Sequence, residues 1–356
     1  QIVAREHAGP HSVGLIDETS FVKKGDMTPG VQRQWCGAVG KEENCLVTVH
    51  LGYARDDFHC LLDGEMYLPK VWAQDPARCR EAGIPETMEY RPNWQIALEL
   101  YDPAIANGIH FDWLTFDEGY GKTPAFLQAL VDRNQPFVAE VPTTFYGWID
   151  PPAVTSRPYR RGGGGGRRRP RRRVKAAAPR ARTVRWLLRR HPTLRDQSWR
   201  RWRIRDGEKG PMIWEVKESR FYPKLDKLPM GKLRLLIARN VLKPEEMKFF
   251  VTYARSATSV GTRLLVGFSR WRIERCIQDG KGEVGLDHYE GRRYLGLKRH
   301  LAISAVSGLF LAWVKQTWAG EKSGGHHRPG PEGHCCPSAR LVAGRTCVPG
   351  AITTRP

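Results

Sequence analysis

Apolar and polar positions recur along this chain with periods that predict most of its elements. "SVGLI", residues 12–16, is an apolar run that ends at Asp17-Glu18 and is followed by "TSFVKKG". A short apolar run closed by polar residues predicts a buried strand. "QWCGAVG" and "CLVTVHLGYA" are two β-rich runs, and "KEEN" between them reads as the turn of a hairpin. In "PNWQIALELYDPAIANGI", Trp94, Ile96, Ala97, Leu98, Leu100 and Tyr101 mark the apolar side of a helix that Asn107-Gly108 stops. A strand over residues 111–116 follows, then a helix in "TPAFLQALVDRNQ" and a strand in "PFVAEVP". Strands alternating with helices after an antiparallel start predict a mixed α/β sheet.

Further along, residues 198–223 have β texture again, with Asp206-Gly207 as the expected hairpin turn. Helical patterning is read from Pro244 through "AWVKQTW". The most apolar stretch, Leu301 to Val314, is too short to span a bilayer and is followed by Lys315, so a core helix and no membrane partner are expected. Between Arg157 and Arg173 stand nine arginines and no acid, a composition that cannot pack a core and predicts a disordered basic linker.

Charge narrows the partner. With 58 Lys and Arg against 37 Asp and Glu, the net charge is +21, which calls for a polyanion, nucleic acid before a membrane surface. The eight cysteines include no CxxC pair and suggest a reduced compartment, not a disulfide framework. "GHHRPGPEGHCC", Gly325 to Cys336, has zinc-binding residue types without finger spacing. The chain opens at Gln1 with neither Met nor a signal pattern, so an N-terminal truncation is expected.

The candidate chemistry begins with Asp17 and Asp117. Each is read as ending an apolar strand, is followed by Glu, and leads into a glycine-containing turn. Acids converging at one end of a sheet need a cation, and an oxygen-only site selects Mg²⁺ or Mn²⁺. Side chains alternate along a strand, so Glu18 and Glu118 should face away from the site. A turn or N-cap carboxylate is the plainer account of Asp117. Arg270, Glu274 and Lys281 follow at offsets of four and seven, which places them on one helix face, with Trp271, Ile273 and Ile277 to seat that helix on the sheet. A surface ion-pair ladder would use the same spacing.

Arg270-x3-Glu274-x6-Lys281, together with "LIDETSFVKKG", "GVQRQWCGAVGK", "DEGYG" and "KGEVGLDHYEGRRYLGLKRHLAIS", resembles the bacterial insertion-sequence transposases with a DDE core and a Y-R-E-K signature. The resemblance spans roughly residues 12–150 and 195–315. It implies a ribonuclease H-like α/β fold, a mixed sheet flanked by helices with a β-rich insertion between the second and third catalytic acids. It implies Asp17, Asp117 and Glu274 as the catalytic, metal-binding triad for two Mg²⁺ or Mn²⁺ ions, and Arg270 and Lys281 as contacts to transposon-end DNA. Lys23, Lys24, Arg292 and Arg293 are further candidate DNA contacts. The signature Tyr falls at Gly267, which leaves that contact missing or supplied by Phe268.

The expected organisation is a first core segment over 1–150, a basic disordered segment over 151–195 and a β-rich insertion over 196–245. The catalytic helix and C-terminal helices take 246–318, and a disordered tail 319–356. Double-stranded DNA, as terminal inverted repeats and target, is the expected partner of a homodimer, in a bacterial cytoplasm at the nucleoid. Three other readings stay open: an inactive DNA-binding remnant, an RNA-binding protein acting through residues 157–173, and a glycosidase using Asp117 and Glu274.

Overall fold

In the first strand, β1 (Val13–Val22), neighbouring side chains go to opposite, covered faces: Leu15 is 0% and Ile16 1% exposed, and each belongs to a different apolar cluster. The computed structural model describes residues 1–156, 172–207, 210–254 and 257–324. Both faces of the central sheet are therefore buried, the pattern of an α/β layer architecture.

The sheet starts with β1, β2 (Gln32–Cys36), β3 (Lys41–Arg55) and β4 (Phe58–Met66), an antiparallel meander. Helix α1 (Asn93–Ala106) leads to β5 (Trp113–Phe116), then to the one-turn α2 (Glu118–Gly121), α3 (Pro124–Asp132) and β6 (Phe137–Glu140). Next come β7 (Tyr146–Trp148), β8 (Arg182–Thr183) and α4 (Val184–Arg190). The long antiparallel strands β9 (Arg200–Gly207), β10 (Gly210–Leu225), β11 (Leu233–Asn240) and β12 (Met247–Tyr253) precede α5 (Val260–Gly267), α6 (Trp271–Val284) and α7 (Tyr294–Gly324).

The strand order is β8-β7-β10-β11-β12-β6-β5-β1-β3-β2, with β4 on β3, and β9 and the short Leu228–Pro229 strand on β10. The pairs β1–β5 and β5–β6 are parallel, and β12 joins β6 antiparallel. One face is covered by α1, α3 and α4 through Ile96, Leu100, Phe126, Leu130, Val184 and Leu187. The other is covered by α5, α6 and α7 through Leu264, Ile273, Ile277, Leu297 and Leu301. Each such side chain contributes roughly 1.5–3 kcal/mol by leaving water. All strands lie in the unit Gln1–Gln316; a second unit begins at Thr317, within α7.

The mixed sheet flanked by helices agrees with the expected class, and several local expectations change. β1 does not end at Asp17: it continues to Val22 because Ser20 and Phe21 pair with Val47 and Leu46, burying Phe21 to 1%. The hairpin turn is Gly37–Gly40, and "KEEN" begins β3. Asp206 and Gly207 are strand residues paired with Pro211 and Gly210, and the connection at 208–209 lies outside the described residues. The chain after Pro244 is first a strand, β12, in which Phe249, Phe250 and Val251 are all buried; an apolar run covered on both faces has no period of its own.

Disorder over 151–195 is also corrected in part. Residues 157–171 lie outside the described set, but α4 and the following turn bury Val184, Leu187 and Leu194 in the main core. The tail from residue 325, with its His and Cys cluster, likewise lies outside the described residues. Among the described cysteines Cys36, Cys45, Cys60, Cys79 and Cys276 carry free thiols. Helix α7 holds a longer apolar stretch than Leu301–Val314: Tyr294–Trp318 is long and apolar enough by length and composition to cross a bilayer. One side of its first half packs in the core, with Leu297 and Leu301 at 0% and 3% exposure and Lys298 paired to Glu65 at 2.7 Å, while Leu295, Ile303 and Val306 on the other side are exposed.

Candidate active site

The parallel register of β1 and β5 pairs Ile16 with Phe116. The next residue on each strand is an acid, so Asp17 and Asp117 sit level on neighbouring strands, which run roughly 4.8 Å apart. Asp17 has a side chain only 14% exposed. Burial, and then the charge of Asp117, push its carboxyl up to about 7, against the pull of Arg270. Its Oδ1 accepts the Glu18 amide at 2.9 Å. Asp117 caps α2: Oδ1 accepts from the amides of Gly119 at 2.9 Å and Tyr120 at 3.4 Å. The capping role is thus real, and it fixes this carboxylate at the strand end beside Asp17.

Helix α6 crosses the sheet on the Leu15 face, seated by Ile273 at 0% and Ile277 at 8% exposure. Trp271 does not help to seat it. It is 39% exposed, with the Arg205 guanidinium 4.8 Å from its ring and His59 at its edge. Arg270, immediately before the helix, bridges acids: Nη1 lies 3.4 Å from Asp17 Oδ2, Nη2 2.7 Å from Glu274 Oε1, and Nε 4.0 Å from Glu140 Oε2. Burial opposes its charge, but these carboxylates keep the guanidinium's pKa raised. Lys281 turns inward to β1, donating to the Ser20 carbonyl at 3.2 Å over the Phe21 ring, and burial lowers its pKa. The three signature residues therefore share the side of α6 that borders β1, with Glu274 the outermost at 54% exposure.

Among the candidate phosphate contacts, Lys23 is corrected. Its side chain is 3% exposed, and Nζ donates to the Asp287 carbonyl at 3.3 Å and to Glu290 Oε1 at 3.2 Å, so it ties β1 to the loop after α6. Lys24, Arg292 and Arg293 are exposed, and Arg293 also donates to the Glu81 carbonyl at 2.9 Å. Gly267, where the signature has Tyr, packs so closely that a Cβ there would lie 3.0 Å from Val138 and 3.1 Å from Phe250. Phe268 does not replace the Tyr at the site, because its ring packs against Trp214 and Phe250 in the core.

Other residues at the site were not singled out from the sequence. Glu18, expected to face away, points to the α1 face of the sheet and borders the same cleft of about 810 Å³ as Asp17 and Asp117. Its carboxylate accepts from Asn93 at 3.0 Å, and desolvation followed by the charge of Asp117 raises its pKa. Lys122 is an exposed cation on the same wall. Glu140, at the end of β6, pairs with Lys248 at 2.7 Å and reaches toward Arg270. The available signal for Glu140 was its place: it closes "PFVAE" as Asp117 closes "LTF". Glu118, by contrast, is exposed and does not border the cleft.

Two adjacent carboxylates suit a hard divalent cation. Burial, and then the charge of Asp117, raise the Asp17 pKa even beside Arg270, so a cation shared by the two acids would relieve their repulsion. Glu274 is linked to Asp17 through Arg270, and among the described residues no three His, Cys, Asp or Glu side chains converge closely enough to hold an ion. The residues present thus fit a cation at the Asp17–Asp117 pair, with Glu274 one guanidinium away.

Compared with known families, residues 1–211 match the profile described as DDE superfamily endonuclease. That span contains Asp17 and Asp117 and ends before Arg270, Glu274 and Lys281. A search of curated proteins finds no match.

Proposed function

Because the chain belongs to the DDE superfamily endonucleases, we propose that it is the transposase of a bacterial insertion sequence, which cuts the element's DNA ends and joins them to a target. The observation that carries this reading is the level pairing of Asp17 and Asp117 across β1 and β5, with Arg270 linking Asp17 to Glu274. Members of this family generally use divalent metal ions. Asp17 and Asp117, joined by Glu274, would hold Mg²⁺ or Mn²⁺. Bound there, two such ions would supply Lewis-acid polarisation of the phosphate and a nucleophile at neutral pH.

The protein's own groups supply position and charge. The α2 cap holds Asp117 rigidly at the strand end, and the β1 backbone does the same for Asp17. Arg270, on leaving Asp17 and Glu274, reaches a DNA phosphate as a bidentate donor. Lys24, Arg292 and Arg293 add positive charge along the backbone of the DNA, which orients the duplex without reading its sequence, while Lys281 reaches it only on leaving the Ser20 carbonyl. In this reading double-stranded DNA is the partner, two copies act together on two ends, and the compartment is the cytoplasm.

Mg²⁺-dependent cleavage of a supercoiled plasmid carrying the element's ends tests the assignment. Asp117→Asn should abolish cutting, by at least roughly 100-fold, since even disturbing the support of a metal site costs about 10–100-fold. DNA affinity should stay within a few-fold. Unchanged cutting would sink the triad. The alternative is an inactive, DNA-binding remnant, favoured by the arginine already neutralising Asp17 and Glu274. It predicts DNA binding with no Mg²⁺-dependent cutting by the unsubstituted chain.

A further inference from the structure

From Arg172 to Arg195 the chain carries nine Lys and Arg and no acid. The structure shows where the second half of that segment lies. β8 pairs with β7, matching Thr183 to Tyr146 and Arg182 to Gly147, at the end of the sheet away from β1. The Thr183 hydroxyl accepts the Trp186 amide at 3.2 Å and starts α4, whose Val184 and Leu187 are buried. Anchoring those two leaves Arg185, Trp186, Arg189 and Arg190 facing outward.

Two exposed rings lie on this surface, Trp186 at 40% and Tyr146 at 51%. Each has a cation over it: Arg182 lies 4.9 Å from the Trp186 ring and Lys224 5.7 Å from that of Tyr146. Ring contacts of this kind hold a long cationic side chain in place and so lower the entropy lost when it binds.

Several other arginines in the second half of the chain are matched to acids. Arg201 and Arg239 pair with Glu215, Arg234 and Arg263 with Glu218, and Arg195 with Asp196. Among the described residues, Arg182, Arg185, Arg189 and Arg190 have no carboxylate in ion-pair contact, and the nearby Asp150 is engaged with His191. A folded surface with pre-positioned cations and no counter-charge is built for phosphates from outside.

We propose that the β7–β8–α4 surface, through Arg182, Arg185, Arg189, Arg190 and Lys224, is a second grip on duplex DNA, separate from the acid cleft. It rests on the DNA substrate proposed above. Six strand positions separate β7 from β1, roughly 29 Å at ordinary strand spacing. A duplex lying along the sheet from the cleft would meet this surface about eight or nine base pairs from the cut, at ~3.4 Å per base pair. The surface thus secures DNA flanking the cleavage point and leaves the chemistry to β1, β5 and α6.

The test is the salt dependence of full-chain binding to a 40-base-pair duplex, followed by fluorescence anisotropy. Replacing Arg185, Arg189 and Arg190 together by Gln should lower the slope of log affinity against log salt by about two to three, near 0.9 per lost phosphate contact. The matching triple Lys variant should restore most of that slope, and Arg195→Gln with Arg234→Gln, at ion-paired positions, should leave it unchanged. An unaltered slope in the triple Gln variant overturns the proposal, whatever the cleavage assay shows. A reduced slope in a chain that binds DNA but never cuts it with Mg²⁺ supports this surface and removes the transposase reading instead.

Discussion

At Asp17 two requirements pull in opposite directions. The carboxyl is held in a buried strand beside a second acid, which favours its neutral form, while a cation site needs it charged. With its folded pKa raised to about 7 from an ordinary 3.8, the group stabilises the metal-free fold fully below pH 4. That contribution is lost as pH rises through about 7. Asp17→Asn should therefore stabilise the fold in EDTA at pH 8 by on the order of 1–3 kcal/mol, seen as a higher thermal midpoint, and change it little at pH 4. Equal midpoints for the two proteins at pH 8 would show that Asp17 is not strained by its surroundings. Both acids were legible from residue type and from their place after an apolar run. Glu18 was not, because alternation told only that it leaves Asp17's face, and it took α1 to bring Asn93 and a cleft wall to its other side. Lys23 was misread for a similar reason: nothing local shows that Asp287 and Glu290 fold over it.

Among the elements, α2 shows how much a single turn can control. Its last residue, Gly121, lies so close to β6 that a Cβ would come within 1.9 Å of the Glu140 carbonyl oxygen. Gly121→Ala should cost about 2–3 kcal/mol and lower cleavage further than the loss of fold explains, because α2 carries the amides that hold Asp117. Urea unfolding gives the first quantity, and cleavage by the folded fraction gives the second. Normal stability would mean that β6 yields at no cost. Helix α6 was readable from its offsets of four and seven, since one face had to meet the sheet. β12 was not, since Phe249, Phe250 and Val251 are buried on two faces and mimic a helical run. The hairpin turn was misplaced because "KEEN" is polar enough for a loop, yet it pairs with β2 once "GAVG" has turned the chain.

Across the whole molecule one sheet binds distant parts of the chain. β6, from the first half, pairs with β12 from beyond residue 246, and α6 covers β1 with Ile273. The segment 1–211 should therefore not fold alone, despite carrying the whole family match. Expressed by itself it should lack a cooperative thermal transition and be cut rapidly by protease, whereas a sharp transition would show that β6 tolerates an open edge. Sequence periodicity revealed the layers but not this closure, which depends on pairings more than 100 residues apart. The parallel register of β1 and β5 also divides the gene into places that tolerate length changes and places that do not. Codons added in frame at the exposed residues 85–87, between β4 and α1, leave Ile16 opposite Phe116. One codon added within Val13–Ile16 would turn Asp17 to the opposite face and leave Asp117 facing a different neighbour.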